Sequence, residues 1–385
     1  MKTRVLISGG GIAGLAAAFW LEREGAQVTV LEKAGSYAPL GHYIALKSHG
    51  VALIRQMGLL EACRQREVHT LLLRVLSATG KLLRENPSEE LAAAVDGYLL
   101  CRRADLHAAL YEAVKGRCDL RFGSLLGAVR ELPDRIEADL SSGTQTFDLL
   151  IGADGIHSQT RSSLFGTGFL TPMGGSYFAL TVDCQHGQPT DVMQMFMGCG
   201  QHVAMIPNTD ERMSLIVYHS DGGIEPTGKT AADYLQFFSA SYGNFAPPVR
   251  TVLGAVTERT YVFSDTISMV QMPSIVRSRV ALVGDAAHCP TFMSGMGSSL
   301  ALQGARALAR CLATHADVSA ALLQYERVIA PIALGYQKSA KTMRPVLLSR
   351  SRAFETVRNL ITGAMPAWLL NREARSLYRA DSPQG

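Results

Sequence analysis

Arg4-Val5-Leu6-Ile7-Ser8-Gly9-Gly10-Gly11-Ile12-Ala13-Gly14-Leu15-Ala16-Ala17-Ala18 is the stretch that decides the fold. A short apolar run, Arg4 to Ser8, reads as a buried strand and ends abruptly in three glycines. Strong helix formers follow from Leu15 to Arg23, and Gln27 to Leu31 reads as a second strand rich in valine and threonine. Together these make a βαβ unit. Inside it lies Gly-x-Gly-x-x-Gly. Gly9 permits the tight turn, Gly11 lets backbone approach a pyrophosphate, and Gly14 lets helix and strand pack closely. The helix start offers unpaired N–H groups and a partial positive charge to phosphates. Glu32, eighteen residues after Gly14, can accept hydrogen bonds from ribose hydroxyls. The segment predicts dinucleotide binding and leaves FAD and NAD both open. Met1-Lys2-Thr3-Arg4 before an apolar run imitates a signal peptide, but the glycines break that run at once.

Two later segments repeat the theme of an apolar strand ending in glycine beside an acid. They are Asp148-Leu149-Leu150-Ile151-Gly152-Ala153-Asp154-Gly155 and Val280-Ala281-Leu282-Val283-Gly284-Asp285-Ala286-Ala287-His288. Taken singly, a Gly-Asp pair is an ordinary turn. In this company, each acid is a candidate partner for a flavin ribityl hydroxyl. Ser294-Gly295-Met296-Gly297-Ser298-Ser299 then opens another helix, whose start suits a second anionic edge.

The remaining chain fits around this frame. With 385 residues, 47% of them hydrophobic and only 18% charged, it can bury a large core and is not a disordered polymer. Its net charge of +4 is concentrated in one place. From Lys341 onward there are eight cations (Lys341, Arg344, Arg350, Arg352, Arg358, Arg372, Arg375 and Arg379) against three acids, and the rest is near neutral. No nucleic-acid partner is implied. The basic tail reads as a solvated helix face, with a membrane-surface or partner contact as the alternative. Seven widely spaced cysteines without a CxxC argue against a disulfide framework or metal site and fit the cytoplasm. No uncharged apolar run is long enough for stable membrane insertion.

Helices are expected at Ser48 to Arg66, Ala104 to Lys115, Ala231 to Tyr242, Ser298 to Thr314 and Ser319 to Gln337, followed by a tail broken at Pro345 and Pro366. Strands are expected at Leu71 to Ser77, Leu82 to Arg84, Leu120 to Phe122, Phe147 to Ile151 and Arg279 to Val283, with a hairpin of Ala128 to Leu132 and Ile136 to Leu140. Between Ser176 and His219, four short strands separated by turn residues read as an antiparallel sheet. The expected architecture is α/β. A discontinuous Rossmann-like nucleotide-binding domain (1–170 and 260–340) carries an inserted antiparallel sheet (171–259), and a C-terminal helical segment (341–385) follows; the resemblance of the three motifs to a flavoprotein family implies that the first is an FAD-binding domain and the second a substrate domain.

At this point the chain resembles the single-component, group A flavoprotein monooxygenases, the family of para-hydroxybenzoate hydroxylase. The resemblance spans nearly the whole chain and rests on three ordered motifs. Gly9 to Gly14 with Glu32 matches the FAD fingerprint. Gly152-Ala153-Asp154-Gly155 matches the Asp-Gly motif linked to FAD and NAD(P)H. Gly284-Asp285-Ala286-Ala287-His288 matches the Gly-Asp motif at the ribityl chain. The resemblance further implies that Arg103 lies along FAD, that Ala13, Lys33 and Ala45 touch it, that Leu126 lies near its adenine, and that Gly295, Met296, Gly297, Ser298 and Ser299 line the isoalloxazine. It implies a cycle in which NADPH or NADH reduces FAD, O2 adds, and a flavin C4a-hydroperoxide passes one oxygen atom to a hydrophobic, aromatic or polycyclic small molecule. The enzyme would be a hydroxylase, as monomer or homodimer.

The chain departs from the family pattern at Phe292, where proline is usual close to the reactive face, at Met296, where glutamine is common, at Gly304 and at Tyr43. These departures bear on the pocket over the flavin. No catalytic side chain is assigned. Candidate bases for a phenolic substrate are His42, Tyr43, His202, Tyr218 and His219, each more simply read as a hydrogen-bonded structural residue, and His288 is read as architectural. Met193, Met195 and Met197 alternate and therefore share a face, with Met205 and Met213 nearby. They are either core filling or an adaptable apolar wall. Two readings compete: a flavin-dependent reductase of the geranylgeranyl reductase type, and a non-catalytic FAD-binding protein. A flavin-dependent halogenase is disfavoured, because Trp20 and Trp368 are the only tryptophans.

Overall fold

The computed structural model describes residues 3–37, 43–65, 67, 70–94, 97–220, 226 and 228–366. Its floor is a six-stranded sheet in the order Val276–Arg277, Val280–Leu282, Leu149–Gly152, Arg4–Ser8, Gln27–Glu32 and Asp119–Phe122. All neighbours are parallel except the first hairpin. Both faces are covered, so these strands read as unbroken apolar runs. The helix Ile12–Arg23 is buried from Ile12 through Leu21. It packs with Arg103–Val114 and Gly297–Thr314 around the floor's main core. A small antiparallel sheet of Val129–Glu131, Ile136–Leu140 and Gly143–Phe147 covers one flank.

The roof is a seven-stranded sheet. Its order is Val262–Val270, Leu170–Asp183, Arg212–Ser220, Gln201–Thr209, Val192–Met197, Leu72–Ser77 and Leu82–Pro87. It is antiparallel apart from the Val192–Met197/Leu72–Ser77 pair. It therefore takes strands from chain on both sides of 171–259. Successive residues point to opposite faces. One face carries Phe178, Leu180, Phe196, Met205, Met213 and Leu215 against the helices Ala231–Tyr242 and Pro247–Leu253. The other faces the floor, where a two-stranded ribbon of Tyr43–Lys47 and Tyr98–Arg102 meets it. Sequence reading did not find that ribbon or Val262–Val270.

Two expectations are corrected. The helix expected over Ser48 to Arg66 is two helices, His49–Gln56 and Leu60–Arg64. Gly58 takes φ +75°, its N–H donates to Arg55 O, and Leu59 N–H donates to Ile54 O. This glycine-centred C-terminal cap ends the first helix. The break expected at Pro345 does not occur, because Val318–Leu348 runs through both Pro331 and Pro345. Each proline frees only a carbonyl four residues earlier, at exposed Arg327 and Lys341. The helix is capped by Asp317, whose side chain accepts from Ala320 N. Arg352–Ala364 follows, and the tail's Arg372, Arg375 and Arg379 lie outside the described residues. Among the described residues no helix is long and apolar enough to cross a membrane.

Candidate functional site

The three glycine–acid segments converge on a cleft of about 660 Å³ along the C-terminal edge of the floor. This is where open parallel sheets place ligands. Of the residues singled out in sequence, Gly9, Gly11, Ala13, Glu32, Lys33, Arg103, Leu126, Asp154, Asp285, Gly297 and Ser298 line it. Gly14, Ala45, Gly284, Gly295, Met296 and Ser299 lie outside that lining. Gly14 and Gly284 act behind the surface. A Cβ on Gly14 would run into the carbonyl oxygen of Gly9, and one on Gly284 would lie 2.7 Å from Ala13 Cβ. Met296 and Ser299 are each about 1% exposed and point into the core. Ala45 faces the roof.

The cleft is shaped for a ligand whose phosphates press on backbone. Gly9 sits at φ +107°, and a Cβ there would lie 2.5 Å from Ala153 O. Gly11, by contrast, borders open space, with only the Arg103 guanidinium 3.9 Å from a Cβ position. The helix N-terminus has no side-chain cap, so its N–H groups are left for an anion. Glu32 is steadied by two backbone donors, Gly10 N at 3.0 Å and Ala34 N at 2.8 Å, and still faces the cleft. Arg103 supplies the opposing positive charge. Burial pushes the Asp285 carboxyl up, with a Cys289 hydrogen bond and the Arg103 charge holding it back. These features fit the pyrophosphate and sugar of FAD.

Asp154 differs from its sequence reading. Its carboxylate accepts from Ser158 Oγ, from Thr160 N and from Thr160 Oγ1, at 2.9 and 3.0 Å for the last two. It shapes its own loop as well as lining the cleft. Sequence reading missed Arg161. This residue is 6% exposed and donates to Ala286 O at 3.0 Å and Ile156 O at 2.7 Å, stitching the second glycine–acid segment to the third. An arginine in a short polar helix gives no signal for that. His157, also missed, lines the cleft and places Nε2 3.2 Å from both carboxylate oxygens of Asp265 on the roof.

An aromatic wall stands where the roof meets the turn that follows the Asp285 segment. Phe292 stacks on Tyr177 with centroids 4.2 Å apart and planes 12° apart, and Tyr218 lies 5.5 Å away. Tyr43, Ala45, Tyr98, Met193 and Met195 complete the cluster. Phe292 begins a short turn after Thr291, a β-branched residue held at φ +69°. That strain is secured by two bonds: Thr291 Oγ1 accepts from Met293 N, and Thr291 O accepts from Ser294 Oγ. Lys47 brings its ammonium within 3.4 Å of a Cβ position on Gly295, just before the Gly297–Thr314 helix.

The base candidates sort clearly. His42 lies outside the described residues. Burial raises the Tyr43 phenol to about 12 and raises Tyr218 further. Burial lowers His202 to about 3, with Arg358 next in effect; its Nε2 lies 2.7 Å from Leu347 O. His219 sits on the opposite roof face among Phe237 and Tyr242. Tyr43, Tyr218 and His202 keep their neutral forms around neutral pH, and His219 faces away from the floor. His288 is 5% exposed and lowered to about 4 by burial.

Residues 2–337 match the family described as FAD binding domain. An FAD-dependent monooxygenase, asL4, of Sarocladium schorii is 30% identical over 82% of this chain and 76% of its own length. The 3-hydroxybenzoate 6-hydroxylase 1 of Aquipseudomonas alcaligenes is 26% identical over 98% and 100%. Klebsiella pneumoniae HpxO, solved with FAD and uric acid, superposes with a TM-score of 0.88 at 21% identity, covering 100% and 98%.

Proposed function

Because the chain belongs to the FAD-binding-domain family and is an FAD-dependent monooxygenase, we propose that it hydroxylates a hydrophobic, aromatic or polycyclic small molecule held under the Tyr177–Phe292–Tyr218 wall. FAD is the cofactor and NAD(P)H the family's reductant. When bound, FAD would supply the redox chemistry with NAD(P)H and O2 that a one-oxygen transfer requires.

The chain's residues supply the setting for that chemistry. The Gly9–Gly14 turn and the helix start would hold the pyrophosphate, Glu32 the adenosine ribose, and Asp285 with Arg103 the middle of the cofactor. Leu126 and Lys33 flank the adenine end. The start of the Gly297–Thr314 helix, at Gly297 and Ser298, presents N–H groups to the electron-rich ring edge. Gly295, with Lys47 beside it, approaches the same edge, and Met296 and Ser299 hold that turn from behind. Overhead, the aromatic wall orients a flat ring, and Met193 and Met195 keep water out. Burial disfavours a phenolate at Tyr43 or Tyr218 and an imidazolium at His202, so these described residues favour a reaction that positions its substrate over one that first deprotonates it.

The carrying observation is the near-parallel Tyr177–Phe292 pair on the strained turn that follows the Asp285 segment. The test is NADPH and NADH oxidation under air and argon with a panel of aromatic and polycyclic compounds. Turnover should need both O2 and an aromatic compound, and the product should be heavier by one oxygen. Oxygen-independent turnover, or turnover indifferent to aromatic compounds, would reject the reading.

A further inference from the structure

The floor-facing side of the roof changes chemistry in register along two paired strands. Tyr177 pairs with Tyr218, Ala179 with Ile216, Thr181 with Ser214, and Asp183 with Arg212. All eight share one face, because each step is two residues. The series thus runs from aromatic to aliphatic to hydroxyl to ionic. At about 3.3 Å per residue, the hydroxyl pair lies about 13 Å from the aromatic pair and the ionic pair about 20 Å. The hydroxyls are 2.8 Å apart and Arg212 reaches Asp183 at 3.4 Å.

This face borders a second, larger cleft of about 1230 Å³, separate from the glycine-turn cleft. Ala179, Thr181, Ser214 and Ile216 form one wall, and Tyr43 with Arg102 stands opposite. Tyr43 and Ile216 also belong to the cluster around Phe292, so the cleft adjoins the aromatic wall. Its ionic lining is balanced: Glu67, Asp183 and Glu258 against Arg102, Arg212 and Arg259. Such a lining offers no net attraction to an anion or a cation. What it offers are hydroxyls and fixed dipoles, which reward a neutral group rich in hydrogen-bonding partners.

We propose that this cleft is a second substrate subsite, and that the substrate is an elongated neutral amphiphile, with an aromatic ring under Phe292 and a hydroxylated end, such as a sugar, at Thr181 and Ser214. The proposal rests on the aromatic-substrate reading and extends it. A bare ring fills only the wall. A glycosylated ring spans the 13 Å step and satisfies the hydroxyl pair.

The test titrates the FAD-loaded protein, without nicotinamide, with naphthol and with naphthyl glucoside, following perturbation of the flavin absorbance. The glucoside should bind about tenfold more tightly. Thr181→Val and Ser214→Ala should each erase most of that preference while leaving naphthol affinity and flavin content unchanged. Equal binding of the two compounds, or a preference that survives both substitutions, overturns the subsite and leaves the aromatic reading standing. If neither compound binds, the aromatic reading fails and the subsite with it.

Discussion

The cofactor cleft in the floor and the wall under the roof are built from different materials. In the floor, the cleft is shaped by backbone: glycines whose missing Cβ lets strands and helix approach, and a helix start left uncapped. In the roof, function is carried by side chains, and which of them matter depends on strand parity. Met193 and Met195 cluster with Phe292, whereas Met205 and Met213 are buried against helices on the opposite face. A backbone site tolerates almost no change of residue type. A side-chain wall can be re-lined while its strands stay in place. On the proposed reading, cofactor identity is fixed in the one region, and substrate identity can vary in the other.

The hardest test of that contrast is Gly9→Val. The added atoms meet Ala153 O at a positive φ, so overpacking and backbone strain combine. Flavin content should fall by roughly a hundredfold, or folded protein should be lost. A variant that retains FAD would show that the turn is not the anchor. Acid probes both layers next. His202 in the roof and His288 in the floor are neutral when folded, at about 3 and about 4 against an ordinary 6.5. Their folded values are depressed, so the unfolded chain takes up protons first. Stability is fully present above pH 6.5 and is lost as pH falls from there toward about 4 for His288 and about 3 for His202. His202→Asn should flatten the acid limb of a melting-temperature profile, and an unchanged slope would remove His202 from the account.

Arg161→Met should cost roughly 3 kcal/mol in chemical denaturation, because it leaves the Ala286 and Ile156 carbonyls without their donor. A loss under ~0.5 kcal/mol would mean that the two glycine–acid segments hold each other without it. The smallest effect separates the two roof faces. Met195→Leu and Met205→Leu should each change stability by less than ~1.5 kcal/mol. Only the first should alter the ranking of aromatic substrates by kcat/KM, and a shift with Met205→Leu instead would reverse the assignment of faces.

The sequence made the floor legible because its signals are local. A glycine turn between strand and helix, and an acid at a strand end, can be read within a dozen residues. The alternation of the roof strands was equally visible, but their order was not. That order depends on pairing between Leu72–Ser77 and Val192–Met197, more than a hundred residues apart. Without it, Tyr218 and His219 looked equivalent, although one meets Phe292 and the other the far helices. The Ser158 and Thr160 donors to Asp154 were not legible, since they come from a turn whose geometry the sequence leaves open. Arg161 gave no sign, because its partners are main-chain carbonyls.

The helix Val318–Leu348 sets a boundary on how such an enzyme can be recombined. At 31 residues it is about 46 Å long. Near its start, Tyr325 donates to Leu282 O in the floor, and at its end Leu347 O is held by roof residue His202. A chimera that imported only 171–259 from a relative would receive a roof without the Leu72–Ser77 and Leu82–Pro87 strands and without this tether. The transferable cassette is non-contiguous, and the helix must travel with it.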